Sequence, residues 1–287
     1  MTDTASYYRG KNAVITGGSS GLGRAFALEL ARHGAAKVLI ADLDETRGAT
    51  VVQELQQAGV EAHFRRCDVA EREQIEALGQ EAHTVLGRLD FAFNNAGVAS
   101  GGDFFDIPPE DWDWLLSINL LAVVNGCRTF GLIMREQGGG HLVNTASLAA
   151  FGAAPGMTLY NVAKVGVLML SETLRAELAP LHIRVSAICP GFVRTNLMER
   201  TRVASPQYQG LTRMMLEGNK ITPEQIARAA LRQIAQNKLY IFPTWDARAI
   251  SYVKRFFPNT MINLTAKLRP LAESRIQKIA AKRGFSS

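Results

Sequence analysis

Tyr160 and Lys164 stand four residues apart in a stretch whose apolar residues recur with helical spacing, so both side chains fall on one helix face and an ammonium comes beside a phenol. An unperturbed tyrosine ionises at about pH 10, and a neighbouring cation favours the phenolate. Such a phenol can take a proton from an alcohol or return one to a carbonyl oxygen. Ser147, just past a β-branched run, can donate a hydrogen bond to the same reacting oxygen and is read as an orienting donor, not a nucleophile. Taken singly, each group also has a packing role open to it: Tyr160 and Lys164 as core and surface residues, Ser147 as a turn cap.

A second cluster could cradle phosphates. Thr16-Gly17-Gly18-Ser19-Ser20-Gly21-Leu22-Gly23 joins an apolar run directly to a helical pattern. Gly17 permits a tight turn, Gly21 lets backbone approach a pyrophosphate, and Gly23 lets the helix pack closely, while the helix N-terminus favours the anion. Ser19, Ser20 and Leu22 complete the expected cradle. A glycine-rich turn that merely joins strand and helix would look similar. Asp42, however, closes the next strand where a carboxylate would accept hydrogen bonds from adenosine ribose hydroxyls and repel a 2′-phosphate. Neither Leu43 beside it nor Ser20 before Gly21 offers a cation for that phosphate, so NAD is the expected cofactor. Arg24 keeps NADP, and NADPH-dependent carbonyl reduction, open. For Asp42 the competing role is an acid stabilised at a helix N-terminus.

These groups need a scaffold, and its pattern is legible. Strands are expected at Asn12 to Thr16, Lys37 to Ala41, Glu61 to Arg66, Phe91 to Asn94, His141 to Thr145, Arg184 to Ile188 and Leu239 to Phe242. Between them, Leu22 to His33, Asp44 to Ala58, Arg72 to Leu86, Asp111 to Arg135, Leu159 to Leu178 and Pro223 to Ala235 carry apolar residues at three- and four-residue spacing. This alternation predicts an α/β fold: a Rossmann-type, doubly wound, seven-stranded parallel sheet with helices on both faces. No repeat or linker precedes Phe242, so residues 1–244 are read as one catalytic domain and 245–287 as a basic helical extension.

Thr16 to Gly23, Asn94-Asn95-Ala96-Gly97, Asn119, Ser147, Tyr160-Asn161-Val162-Ala163-Lys164 and Pro190-Gly191 together resemble the short-chain dehydrogenase/reductase family, in its single-domain branch, over about Lys11 to Phe242. The resemblance implies hydride transfer between a nicotinamide cofactor and a secondary alcohol or ketone, with Tyr160 as the proton-exchanging residue. Lys164 would also hold the nicotinamide ribose, and Asn119 would anchor a water leading protons from Lys164 to solvent. Asp68 and Val69 would flank the adenine. Asn95, Ala96 and Gly97 would line the cofactor, and Pro190, Gly191, Val193 and Thr195 would hold its carboxamide. Members of the family commonly form dimers or tetramers. From the residues alone Asn119 could instead satisfy buried backbone, and a cofactor-binding regulator without turnover is the rival of a different class.

Composition bounds the rest. With 47% hydrophobic and 20% charged residues, the 287-residue chain is expected to bury a core. The formal charge is +6, yet from Trp245 onward nine basic residues face only Asp246 and Glu273, so the body carries −1 and shows no nucleic-acid signature. Five histidines and the separated Cys67, Cys127 and Cys189 have neither metal nor disulfide spacing, which fits a reducing, cytoplasmic setting. No signal-peptide core and no run of about 18 apolar residues is seen. Leu197, Met198, Tyr208, Leu211, Met214, Met215 and Leu216, with Phe151, Met157 and Phe192, predict an apolar substrate pocket. Ala247 to Phe257 and Met261 to Ala281 read as two short amphipathic helices interrupted by Pro258 and Pro270. A solvated basic face on a docked helix is expected there, with the substrate mouth, a neighbouring subunit and an anionic membrane as the other options.

Overall fold

The computed structural model describes residues 4–191, 193, 201–203 and 221–282, with side chains to residue 271. Its centre is a parallel sheet of β1 (Asn12–Thr16), β2 (Lys37–Asp42), β3 (Glu61–Arg66), β4 (Phe91–Asn94), β6 (Gly140–Thr145), β7 (Ile183–Ile188) and β9 (Tyr240–Ile241), in the order β3-β2-β1-β4-β6-β7-β9. The strands are apolar on both faces because both are covered. Ala13 and Ile15 enter one core, while Val14 enters the other. On the first face lie α2 (Gly21–Arg32), α3 (Glu45–Gln57) and α8 (Pro223–Ala235), contributing Phe26, Leu30, Val51, Leu55, Leu231 and Ile234. On the other lie α4 (Arg72–Leu86), α6 (Ala122–Glu136) and α7 (Thr158–Glu177), contributing Leu78, Phe130 and Val167.

The chain runs from β1 outward to β3, then returns to place β4 on the other side of β1. That reversal opens a crevice at the carboxyl ends of β1 and β4, where open α/β sheets bind ligands. Local chemistry fixes the helix starts. Asp44 caps α3 by accepting from Arg47 N at 2.9 Å, and Thr222 with Gln225 forms a capping box ahead of Pro223 in α8.

Several features depart from the expected pattern. The single helix expected over Asp111 to Arg135 is α5 (Pro109–Leu116) and α6 joined through a π-helical stretch, Ser117–Leu121. Against the expectation that no stretch reaches membrane-span length, the run Pro109–Glu136 qualifies by length and apolar content, because most of its charges sit near its ends; Val123, Cys127, Phe130 and Met134 nevertheless bury its inner face. A short N-terminal helix, α1 (Thr4–Tyr8), docks beneath the sheet, with the buried Tyr8 hydroxyl donating to Leu231 O at 2.8 Å. Two short strands, β5 (Ser100–Gly101) and β8 (Arg202–Val203), pair in parallel. The extension forms α9 (Trp245–Phe256) and α10 (Pro258–Lys282). Pro258 begins α10, where the missing N–H costs no helical bond, and Pro270 lies inside the helix without ending it.

Candidate active site

The glycine turn grows out of the carboxyl end of β1. Gly17 adopts φ +65° and donates its N–H to Ala41 O at 2.8 Å, tying the turn to β2. At Gly23 a Cβ would stand 2.1 Å from Gly17 O, so only glycine lets α2 start this close to the strand. Gly21 also has positive φ, and Ser20 occupies the N-cap of α2 without a side-chain cap, leaving that end of the helix dressed in backbone N–H groups. A Cβ on Gly17 would meet Ala96 Cα at 2.9 Å, which places the Asn95-Ala96-Gly97 segment against the turn. This glycine cradle fits a dinucleotide pyrophosphate.

A polar brace holds the rim of the crevice. Thr16 Oγ1 accepts from Asn95 N and Ala96 N at 2.9 and 3.1 Å, and Asn95 Nδ2 donates to Thr16 O at 3.0 Å. Thr145 Oγ1 donates to Asn95 Oδ1 at 3.3 Å, so β1, β4 and β6 are linked just where their strands end. Asp42 accepts from Ser19 N at 3.1 Å with one oxygen and from Leu43 N at 2.7 Å with the other. The cap of α3 is Asp44, so capping that helix is not the task of Asp42. Arg24 is clamped by Glu54 through two bonds of 2.9 and 2.7 Å.

Just past the end of β3, Asp68 turns its carboxylate back to Ala70 N at 3.0 Å, and Val69 is buried in the core beside Ile75. Pro190 O accepts from Leu148 N at 2.8 Å, which seats the Pro190-Gly191 turn beside Ser147. Thr244 and Asp246, at the start of α9, are near neighbours of Gly191, so the extension begins at the rim of the site. Val193 is buried.

Ser147 caps the 3-10 turn Leu148–Ala150, accepting from Ala149 N at 3.1 Å. Tyr160 and Lys164 share the inner face of α7, with the Lys164 ammonium 5.7 Å from the Tyr160 ring centroid and donating to Thr145 O at 2.9 Å. Burial pushes the Lys164 amine down to about 8. The sequence led us to expect a more acidic Tyr160, but in this structure burial raises the phenol and outweighs the hydrogen bond from Ser147 that lowers it. The reason is geometric: the ammonium is directed at a carbonyl rather than at the phenol oxygen. Ser147, Tyr160 and Lys164 are thus brought together at the carboxyl edge of the sheet.

Asn119 is fully buried, and both ends of its amide clamp Val98, accepting from Val98 N and donating to Val98 O at 2.8 Å each. Gly97 lies between Asn119 and Lys164: a Cβ there would stand 3.1 Å from Asn119 Oδ1 and 3.7 Å from Lys164 Nζ. The side chain therefore does what the buried-backbone reading describes. The brace through Thr16 and Thr145 leaves no sequence signal, because its partners meet Asn95 from strands far apart in the chain.

Thr195, Phe192, Leu197, Met198, Tyr208, Leu211, Met214, Met215 and Leu216 lie outside the described residues. Phe151 packs on Phe242, ring centroids 5.5 Å apart, and Met157 is the N-cap of α7. Among the described residues no group of three or more His, Cys, Asp or Glu could hold a metal ion.

A doubly wound sheet with a glycine cradle at its switch point and a Ser, Tyr and Lys set beside it defines a dinucleotide-dependent oxidoreductase architecture. The family description short chain dehydrogenase matches residues 11–205, and the chain belongs to that family. It is 33% identical over 272 residues to Probable oxidoreductase EphD of Mycobacterium tuberculosis, covering 92% of this chain and 46% of that one, so it spans about half the length of that relative. A short-chain dehydrogenase/reductase from Burkholderia phymatum solved with NAD superposes with a TM-score of 0.82 at 33% identity, over 86% of this chain and 94% of that one. One from Sphingobium yanoikuyae solved with NADPH gives 0.73 at 25% identity, over 85% and 94%.

Proposed function

We propose that this protein is an NAD(H)-preferring oxidoreductase that interconverts a secondary alcohol and a ketone. The observation that carries the reading is the convergence of Tyr160, Lys164 and Ser147 beside the glycine cradle. When bound, the nicotinamide supplies the hydride acceptor or donor, and its oxidised form adds the positive charge that favours a Tyr160 phenolate. Tyr160 takes the hydroxyl proton of the alcohol or returns it to the carbonyl oxygen, and Ser147 orients that oxygen by hydrogen bonding. Lys164 positions the nicotinamide ribose, and Asn119 keeps Val98 and Gly97 in place beneath it. Gly17, Ser19, Ser20, Gly21, Leu22 and Gly23 take the pyrophosphate, Asp68 and Val69 flank the adenine, and Pro190, Gly191, Val193 and Thr195 hold the carboxamide.

Preference for NAD rests on Asp42 facing the glycine turn beside uncharged Leu43, with Arg24 already occupied by Glu54. A second copy of the chain is the proposed partner of α6 and α7, whose Leu121-to-Leu132 and Val162-to-Met169 stretches expose Val124, Leu132, Val162, Val165 and Met169. An apolar alcohol is the proposed substrate class. Absorbance at 340 nm, followed over structurally varied alcohols and ketones with both cofactors, tests the whole reading. Turnover with NAD exceeding that with NADP is the expected result; a strong NADPH preference would reject the Asp42 argument, and no signal with any substrate would favour a non-catalytic role.

A further inference from the structure

Helix α9 has two unlike sides. Ala247 is fully buried, whereas Trp245, Tyr252 and Phe256 stand out at 83%, 55% and 64% exposure. Their spacing of seven and four residues places all three within about 40° of helical arc, as one outward stripe. Tyr252 and Phe256 stack at 6.4 Å with their planes 9° apart, and the Arg255 guanidinium lies 5.9 Å from the Phe256 ring. Arg248 and Arg255 follow the stripe along one flank by the same helical count.

Helix α10 repeats the arrangement with aliphatic residues. Leu264, Leu268 and Leu271 recur at four and three residues, all exposed, with Lys267 alongside. Its other side faces the protein: Arg269 donates to Asp103 Oδ1 at 2.7 Å, bringing α10 to the loop that carries Phe104 and the almost fully exposed Phe105.

Two occupants could cover such a face, a second copy of this chain or a lipid surface, and charge separates them. From Trp245 onward the chain holds nine basic and two acidic residues, so like faces of two copies repel. An anionic headgroup layer supplies both partners at once. Phosphates match the cations, and the boundary with the acyl chains suits tryptophan and tyrosine, which are apolar in body and polar at one end.

We propose that α9 and α10 form a docking surface for an anionic lipid bilayer, with Trp245, Tyr252 and Phe256 entering the headgroup region and Arg248, Arg255 and Lys267 on its phosphates. This holds whatever reaction the site performs. The test is co-sedimentation of the full chain with vesicles of phosphatidylcholine alone and of phosphatidylcholine with an equal share of phosphatidylglycerol, at low and high salt. Binding should be about tenfold or more stronger to the anionic vesicles and fall with added salt. Arg248→Glu with Arg255→Glu should abolish that preference, and Trp245→Ala with Phe256→Ala should weaken binding to the same vesicles. Circular dichroism and NADH turnover of these surface variants report that the fold is retained, and the salt dependence of the unaltered protein stands without them. Failure of the unaltered protein to sediment with anionic vesicles at low salt overturns the proposal, as does equal binding to both vesicle types. A fall in sedimentation-velocity mass on Phe256→Ala, with lipid binding unchanged, would identify the face as a subunit contact and overturn it as well.

Discussion

The carboxylate of Asp42 accepts the backbone N–H of Ser19 at 3.1 Å across the sheet from β2 to the turn after β1. One side chain therefore does two things: it presents an oxygen where an adenosine ribose would lie, and it pins the glycine turn that would receive the pyrophosphate. A carboxylate that takes backbone N–H groups with both oxygens is also a poor residue to replace by a neutral one.

Replacing Asp42 by Ala should consequently affect fold and cofactor together. Charge-assisted bonds of this kind contribute about 1.5–3 kcal/mol each, so we expect kcat/KM for NAD to fall by at least about tenfold and thermal stability to drop measurably. Adding Leu43→Arg should raise turnover with NADP, because a cation then faces the 2′-phosphate. Steady-state kinetics with both cofactors, alongside thermal melts, check the two effects. Unchanged NAD kinetics would remove Asp42 from the ribose site.

Tyr160→Phe deletes the proton-exchanging oxygen and leaves the ring. Turnover should fall about a thousandfold while NAD binding, followed by fluorescence quenching, stays near that of the unaltered protein. Lys164→Met should differ by losing both, since that ammonium is read as a ribose ligand as well as a charge near the phenol. A Tyr160→Phe enzyme that retains turnover would end the acid/base assignment.

Much of this was legible in the sequence because period decides it. Both-face-buried strands such as β2, with Val38 and Ile40 on one side and Leu39 and Ala41 on the other, read as continuous apolar runs, and six covering helices read by their apolar faces. Chemistry on short spacing was equally visible, as in Tyr160 with Lys164. What stayed hidden depends on partners far away in the chain. The Arg24 to Glu54 clamp joins residues thirty positions apart, and the Thr16, Asn95 and Thr145 brace spans three strands. The π-helical stretch at Ser117–Leu121 leaves no mark in the apolar spacing. How burial and the direction of the Lys164 ammonium act on the Tyr160 phenol is likewise hidden, because both are properties of the folded protein.

Asn119→Ala should show what the π-helical stretch is for. It strips Val98 N and O of their partners in a buried site, at a cost of about 2 kcal/mol in stability by the usual penalty for unmade bonds. Gly97 and Lys164 sit against that segment, so catalysis should weaken along with it. Urea unfolding and single-turnover hydride transfer measure the pair. A variant as stable as the parent would show that Val98 finds other partners.

His141 supplies a pH test away from the active site. It is buried, accepts from the Tyr7 hydroxyl at Nδ1 and donates from Nε2 to Ser186 Oγ, an assignment that follows because Arg184 donates to Tyr7 and Ser186 donates to Lys238 O. Burial, with Arg184 and Arg175 nearby, pushes its pKa down to about 3 from a usual 6.5. Below pH 6.5 the unfolded chain takes up a proton that the folded protein refuses, so stability falls as pH drops from about 6.5 toward about 3. Integrated over pH 7 to pH 5, this one group removes about 2 kcal/mol. His141→Gln keeps a donor and an acceptor but cannot titrate, and urea unfolding at those two pH values should show a smaller acid loss by about that amount, even if its stability at pH 7 is lower. Equal acid losses in parent and variant would mean that His141 takes up its proton as readily in the folded protein as in the unfolded chain, and would remove burial as a brake on its titration.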